Sequence, residues 1–180
     1  MNFEDVVNQD AIRLSSEAFD GANWSLTDEV TSNLMKKIST STIFLKDYLG
    51  VEVRRGIITG LSEAFILDKS KKDELVAADV NSEDLIVPFA VGDDIRKYEV
   101  RENGRFLILT KIGIEIEKYP AIFRHLQQYE KQLKKRWDKG NHWWELRACA
   151  YYDVFEKPKI IYPDIAKESR MTFVEEPLFV

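Results

Sequence analysis

Residues 51–69 read VEVRRGIITGLSEAFILDK, and the fold turns on them. VEVRRGIITG and EAFILDK are β-rich runs separated by Gly60, Leu61 and Ser62. Such runs suit a pleated surface, and a glycine-containing break suits a reversal, so the stretch predicts a hairpin or tight crossover that opens a sheet. Upstream the period is helical. Ser25 and Asp28 stand in capping-box spacing ahead of Val30, Leu34 and Ile38, which predicts a first helix. The hydroxyl cluster Ser39–Thr42 should interrupt it, and Phe44, Leu45, Tyr48 and Leu49 predict a short second helix closed by Gly50.

Downstream, Leu75 and Val76 belong to a short charged helix, Pro88 disfavours a central strand around IVPF, and RFLILT at 105–110 reads as a buried strand. Pro120 opens the clearest helix. Ile122, Leu126, Tyr129, Leu133 and Trp137 form one apolar stripe along it, and Gly140 should end it. PKIIYP reads as a strand bounded by prolines and MTFV as another, whereas WWELRACAYY is ambiguous. Helices and strands that do not alternate regularly favour an α+β class: a small mixed sheet with packed helices and an N-terminal helical arm, with the arm at 1–50 and the main domain at 51–180.

Composition sets limits on function. With 44% apolar and 12% aromatic residues the chain is ordinary globular protein rather than a disordered one. Cys149 is the only cysteine, which excludes an internal disulfide, and no apolar run approaches the length of a membrane span. These features, and an opening MNFEDVVNQD unlike a secretory signal, lead us to expect a cytoplasmic protein without a membrane partner.

The net charge is −5, yet residues 118–147 hold Lys118, Arg124, Lys131, Lys134, Lys135, Arg136, Lys139 and Arg147 against Glu130, Asp138 and Glu145. Lysines late in a helix can neutralise phosphates and release counterions; they also complement the helix macrodipole and solvate an exposed face. Trp143 and Trp144 can stack on a base or divide between core and boundary.

Catalytic signatures are missing from the sequence. It has no GxGxxG or GxxxxGK[ST], and the GxxxG of Gly56 and Gly60 provides backbone freedom at strand ends. His125 and His142 have neither an HExxH nor a cysteine pair around them; His125 reads as a boundary residue, His142 as a loop residue and Cys149 as a buried inert thiol. Pro163-Asp164 resembles the first half of a metal-dependent nuclease core, but no (Asp/Glu)-x-Lys triplet follows on a strand.

Five segments then occur in one order: GIITGLSEAFILD at 56–68, LIVPFAVGDDIRKY at 85–98, YPAIFRHL at 119–126, WWELR at 143–147 and EKPKIIYPDI at 156–165. Together they resemble the TaqI-like C-terminal specificity domain, over about Val51 to Val174. That family forms the target recognition domain of bacterial adenine-specific DNA methyltransferases, including the fused type IIG restriction-modification enzymes.

The resemblance implies a non-catalytic module whose partners are double-stranded DNA and a methyltransferase domain of the same polypeptide. S-adenosylmethionine would serve the parent enzyme, and no cofactor would bind this part. The (Asn/Asp)-Pro-Pro-(Tyr/Phe) motif of such enzymes does not occur in the chain. Thr59, Ser62 and Glu63, at the Thr59-Gly60 turn, are candidates for that turn's DNA-facing polar groups, and Lys131, Lys134, Lys135, Arg136, Lys157 and Lys159 are candidates for phosphate contacts. The turn would equally serve to fix a hairpin. One departure is Val91-Gly92-Asp93-Asp94, where the family often has a basic residue beside the glycine. The alternatives are a stand-alone metal-dependent nuclease or hydrolase, and a protein–protein scaffold built on Trp143 and Trp144.

Overall fold

We describe the protein from a computed structural model. It describes residues 26–50 and 52–180, together with Glu4, Asp5, Asn8, Ala11, Leu14, Phe19 and Trp24. The chain divides into two units, Met1–Arg54 and Arg55–Val180. In the first, α1 spans Glu29–Ser41 and α2 spans Leu45–Leu49. Asp28 is the cap of α1, accepting from the Thr31 N–H at 2.9 Å, whereas Ser25 lies outside the described residues. The hydroxyls of Ser39, Thr40, Ser41 and Thr42 each turn back to a carbonyl four residues earlier, and the helix stops there. Gly50 closes α2 at φ 63°, its N–H on the Lys46 carbonyl.

The second unit is α+β. Its strands are β1 Ile66–Leu67, β2 Ile86–Pro88, β3 Ile95–Arg96, β4 Glu99–Val100, β5 Phe106–Ile108, β6 Lys159–Ile161 and β7 Thr172–Val174. They form an antiparallel sheet in the order β1-β5-β2 and two antiparallel pairs, β3-β4 and β6-β7. The sheets are therefore antiparallel rather than mixed, and the isolated bridge Phe89–Phe179 is parallel. RFLILT supplies the central strand, pairing Leu107 with both Ile66 and Val87. Pro88 sits on edge strand β2, where its missing N–H costs no ladder bond. PKIIYP and MTFV supply β6 and β7, with Ile160 opposite Phe173.

Residues 52–59 lie in no strand, so the expected hairpin does not form. Ile57 instead donates its N–H to the carbonyl of Val180 at 2.5 Å. After Gly60 comes a helical turn, α3, at Ser62–Phe65, and only then β1. Next is α4, Lys69–Ala78, capped by Asp68, which accepts from the Lys71 N–H at 2.7 Å. α5 spans Pro120–Gln127 and α6 Glu130–Lys135. Phe65, Leu107, Ile108, Ile116, Ile122, Leu126, Leu133 and Leu146 are fully enclosed between these helices and the sheet. No helix among the described residues is long and apolar enough to cross a membrane.

His125 is a core residue rather than a boundary one, 4% exposed, with Nε2 3.0 Å from the Ala64 carbonyl. A carbonyl only accepts, so Nε2 carries the proton and Nδ1 is a bare lone pair with no partner. Burial pushes the imidazole pKa down, against the opposing effect of that hydrogen bond. A folded pKa below the unfolded one means stability that is complete above the ordinary imidazole value of about 6.5 and is lost as pH falls through the folded value. We therefore expect urea unfolding to show stability declining on acidification from neutral pH, and His125→Gln to lack that decline. An unchanged profile in the variant would refute the assignment.

Candidate nucleic-acid interface

The basic helix expected to run unbroken from 120 to 139 is two helices. It breaks at Gln128 and Tyr129 and ends at Lys135. Ile122, Leu126 and Leu133 are buried as the stripe requires, but Trp137 is 98% exposed. The cause is local backbone. Arg136 leaves the helix at φ −70°, ψ 146°, and in extended chain successive side chains point to opposite sides. Arg136 points in, so Trp137 points out.

Arg136 is correspondingly not a phosphate contact. It is 7% exposed, and its guanidinium donates to the Thr59 carbonyl, to the Trp143 carbonyl at 2.9 Å and to the Glu145 carbonyl at 2.5 Å. It also lies 4.6 Å from the centroid of the Phe65 ring. Burial pulls its pKa down to about 10, with the Asp138 charge opposing, so it stays protonated at neutral pH. A cation making three bonds to neutral carbonyls is a cross-brace, joining the end of α6 to the turn at 59–60 and to WWELR.

That brace brings together two groups of candidate residues separated by about seventy positions of sequence. Thr59 is buried, its Oγ1 3.5 Å from the Ser62 hydroxyl, while Ser62 and Glu63 are exposed. Gln132 on α6 donates to Glu63 at 3.1 Å. Gly60 holds φ 66°, and a Cβ there would stand 3.2 Å from Arg136 Cδ and from Asp138, so the close approach of turn to helix end needs glycine. Lys131 and Lys135 are exposed one helical turn apart on α6. Lys134 is paired with Glu130 at 2.6 Å.

Lys157 and Lys159 lie elsewhere, at the entry to β6. Lys157 pairs with Asp153 at 2.6 Å. Lys159 is corrected from phosphate contact to structural tie: its ammonium donates to the carbonyls of Phe155, Lys157 and Glu176 at 2.8, 3.1 and 3.2 Å, and burial lowers its pKa. The departure at Asp93-Asp94 divides in two. Asp93 is exposed, and Asp94 is turned inward onto Val91, Asn103 and Arg105.

WWELR is a structural hub. Trp143 and Trp144 are half-buried and meet each other and Phe123 within 5.8 Å, and His142 stacks on Trp144 at 4.4 Å. Trp144 presents its carbonyl to Thr110 at 2.6 Å. Glu145 is enclosed and accepts the N–H groups of Gly113 and His142, each at 2.8 Å. Cys149 is half-buried rather than enclosed. Among the described residues, no group of three or more His, Cys, Asp and Glu side chains is placed to hold a metal ion.

Sequence patterning missed two members of this surface, Trp137 and Gln132. These elements define a small α+β module with a polar turn and a basic helix end clamped onto one face. A scan of the chain against models of known protein families finds no match.

Proposed function

We propose that this chain is a DNA target recognition module of a bacterial type II restriction-modification enzyme, serving an adenine-specific methyltransferase and having no catalytic site of its own. One observation carries the reading. The turn bearing Ser62 and Glu63, groups able to meet base edges, is braced onto the helix bearing Lys131 and Lys135, cations able to meet phosphates. The ordered sequence resemblance supplies the enzyme class, with S-adenosylmethionine bound by the catalytic domain of the same polypeptide.

The test is fluorescence anisotropy of the whole chain on duplex DNA across a range of salt. Lys131→Ala with Lys135→Ala should weaken binding to every duplex and make log K against log salt shallower by about two phosphate contacts. Thermal stability should stay within about 0.5 kcal/mol of wild type, since both side chains are exposed. Identical salt slopes for the two proteins would refute phosphate contact by α6.

A further inference from the structure

Trp137 is the most exposed of the large apolar side chains among the described residues, at 98%. An indole is a large apolar body, and leaving it wholly in water forgoes the stabilisation its burial would bring. It does not sit on a loose segment. The residue before it is pinned by the three bonds of the Arg136 guanidinium, its own carbonyl accepts the Lys139 N–H at 3.0 Å, and Lys139 Nζ caps the Arg136 carbonyl at 2.8 Å. The fold thus ties down the backbone beneath the indole while the described residues leave the ring uncovered.

The surroundings indicate what would cover it. Lys135 precedes Trp137 by two residues and Lys131 stands one turn further back, both exposed. The nearest acidic side chain in sequence, Asp138, is engaged by Arg147 at 3.2 Å. On the other side, Gly60 packs against Asp138, which sets the Ser62–Glu63 turn beside the same backbone. An exposed indole two residues after an exposed cation, next to the backbone on which the polar turn packs, suits a nucleic acid, whose bases offer flat faces to stack on and whose backbone supplies the anions.

We infer that Trp137 takes the face of a nucleobase, from an opened base step of duplex DNA or from a displaced strand. This rests on the proposal that the module binds DNA. Stacking is not ionic, so its signature is affinity lost without a change in salt slope, the reverse of the lysines on α6.

The test measures anisotropy of the whole chain and of Trp137→Ala and Trp137→Phe. The probes are a mixed-sequence duplex, the same duplex with one mismatched step, and its single strand. Trp137→Ala should lose roughly tenfold in affinity on the mismatched duplex or on the single strand, with an unchanged salt slope and melting temperature. Trp137→Phe should retain most of the affinity. Loss on the mismatched duplex identifies an opened step as the source of the base, and loss on the single strand a displaced strand. If Trp137→Ala binds all three probes as wild type does while the lysine pair flattens the salt slope, the stacking role is overturned and the DNA reading stands. If the wild-type chain binds none of the probes at low salt, both are overturned.

Discussion

Replacing Arg136 with methionine is expected to cost about 4 kcal/mol, although the exchange preserves an apolar stem of similar length. The change leaves the carbonyls of Thr59, Trp143 and Glu145 without the donor they share. Each charge-assisted bond contributes about 1.5–3 kcal/mol, and bonds to one group do not add fully. Arg136→Lys should recover only a minor part. The ammonium is a compact point donor and lacks the fork with which Nη1 reaches the Thr59 carbonyl while Nη2 reaches those of Trp143 and Glu145. Urea denaturation measures both variants; a methionine protein within 1 kcal/mol of wild type would show that the brace is dispensable. On the proposed DNA-binding role, affinity should fall along with stability, because the turn at 59–60 loses its brace to the end of α6.

Asp94→Ala is expected to cost about 3 kcal/mol at neutral pH. The carboxylate is 2% exposed and accepts from Val91 N–H at 3.0 Å, from Asn103 and from the guanidinium of Arg105, which is itself partly exposed to screening solvent. Burial alone would raise the carboxyl pKa, but the hydrogen bonds from Val91, Arg105 and Asn103 and the Arg105 charge outweigh it and hold the value below normal. A depressed folded pKa gives stability that is present above the unfolded carboxylate value of about 3.9 and is lost as pH falls through the folded one. The stability curves of wild type and Asp94→Ala should therefore stand apart at neutral pH and converge in strong acid. Parallel curves down to the lowest pH would count against this account. Asp94→Asn should recover little, since its NH₂ group meets donors where the second carboxylate oxygen accepted.

The elements legible in the sequence were those whose signal is local. Pro120 at the first turn of α5, Gly50 in the left-handed region and the proline-bounded β6 each follow from the preferences of a few adjacent residues. The buried run RFLILT could be recognised because a central strand is enclosed on both faces. VEVRRGIITG misled because a strand needs a partner as well as composition. Ile57 pairs with the Val180 carbonyl rather than with a neighbouring strand, and the local sequence does not encode the position of Val180. The helix ends at Lys135 and Arg136 is extended, which moved Trp137 from inside to outside. Patterning likewise cannot separate a cation that solvates a surface from one that folds back on carbonyls, so Arg136 and Lys159 read like Lys131 and Lys135. Thr59 precedes the bend at Gly60, and Ser62 and Glu63 stand on the helical turn after it, where the local sequence suggested a hairpin.

The last residues bear on how the second unit is made. Phe179 is enclosed against Phe155, its N–H reaches the Pro88 carbonyl at 3.0 Å, and its own carbonyl accepts from Ala90 at 2.9 Å. Val180 in turn receives the Ile57 N–H. The Phe179 hydrogen bonds join positions about ninety residues apart and the Ile57–Val180 bond positions more than a hundred apart, so they close long loops, and such closures are slow and come late. On the ribosome, the sheet around β5 and the helices α4 to α6 can assemble as the chain emerges, but the side of the core at Phe89 and Phe155 stays open until Phe179 has been synthesised and has left the exit tunnel. During that interval the nascent chain presents unsealed apolar surface, the condition under which partly folded chains associate wrongly.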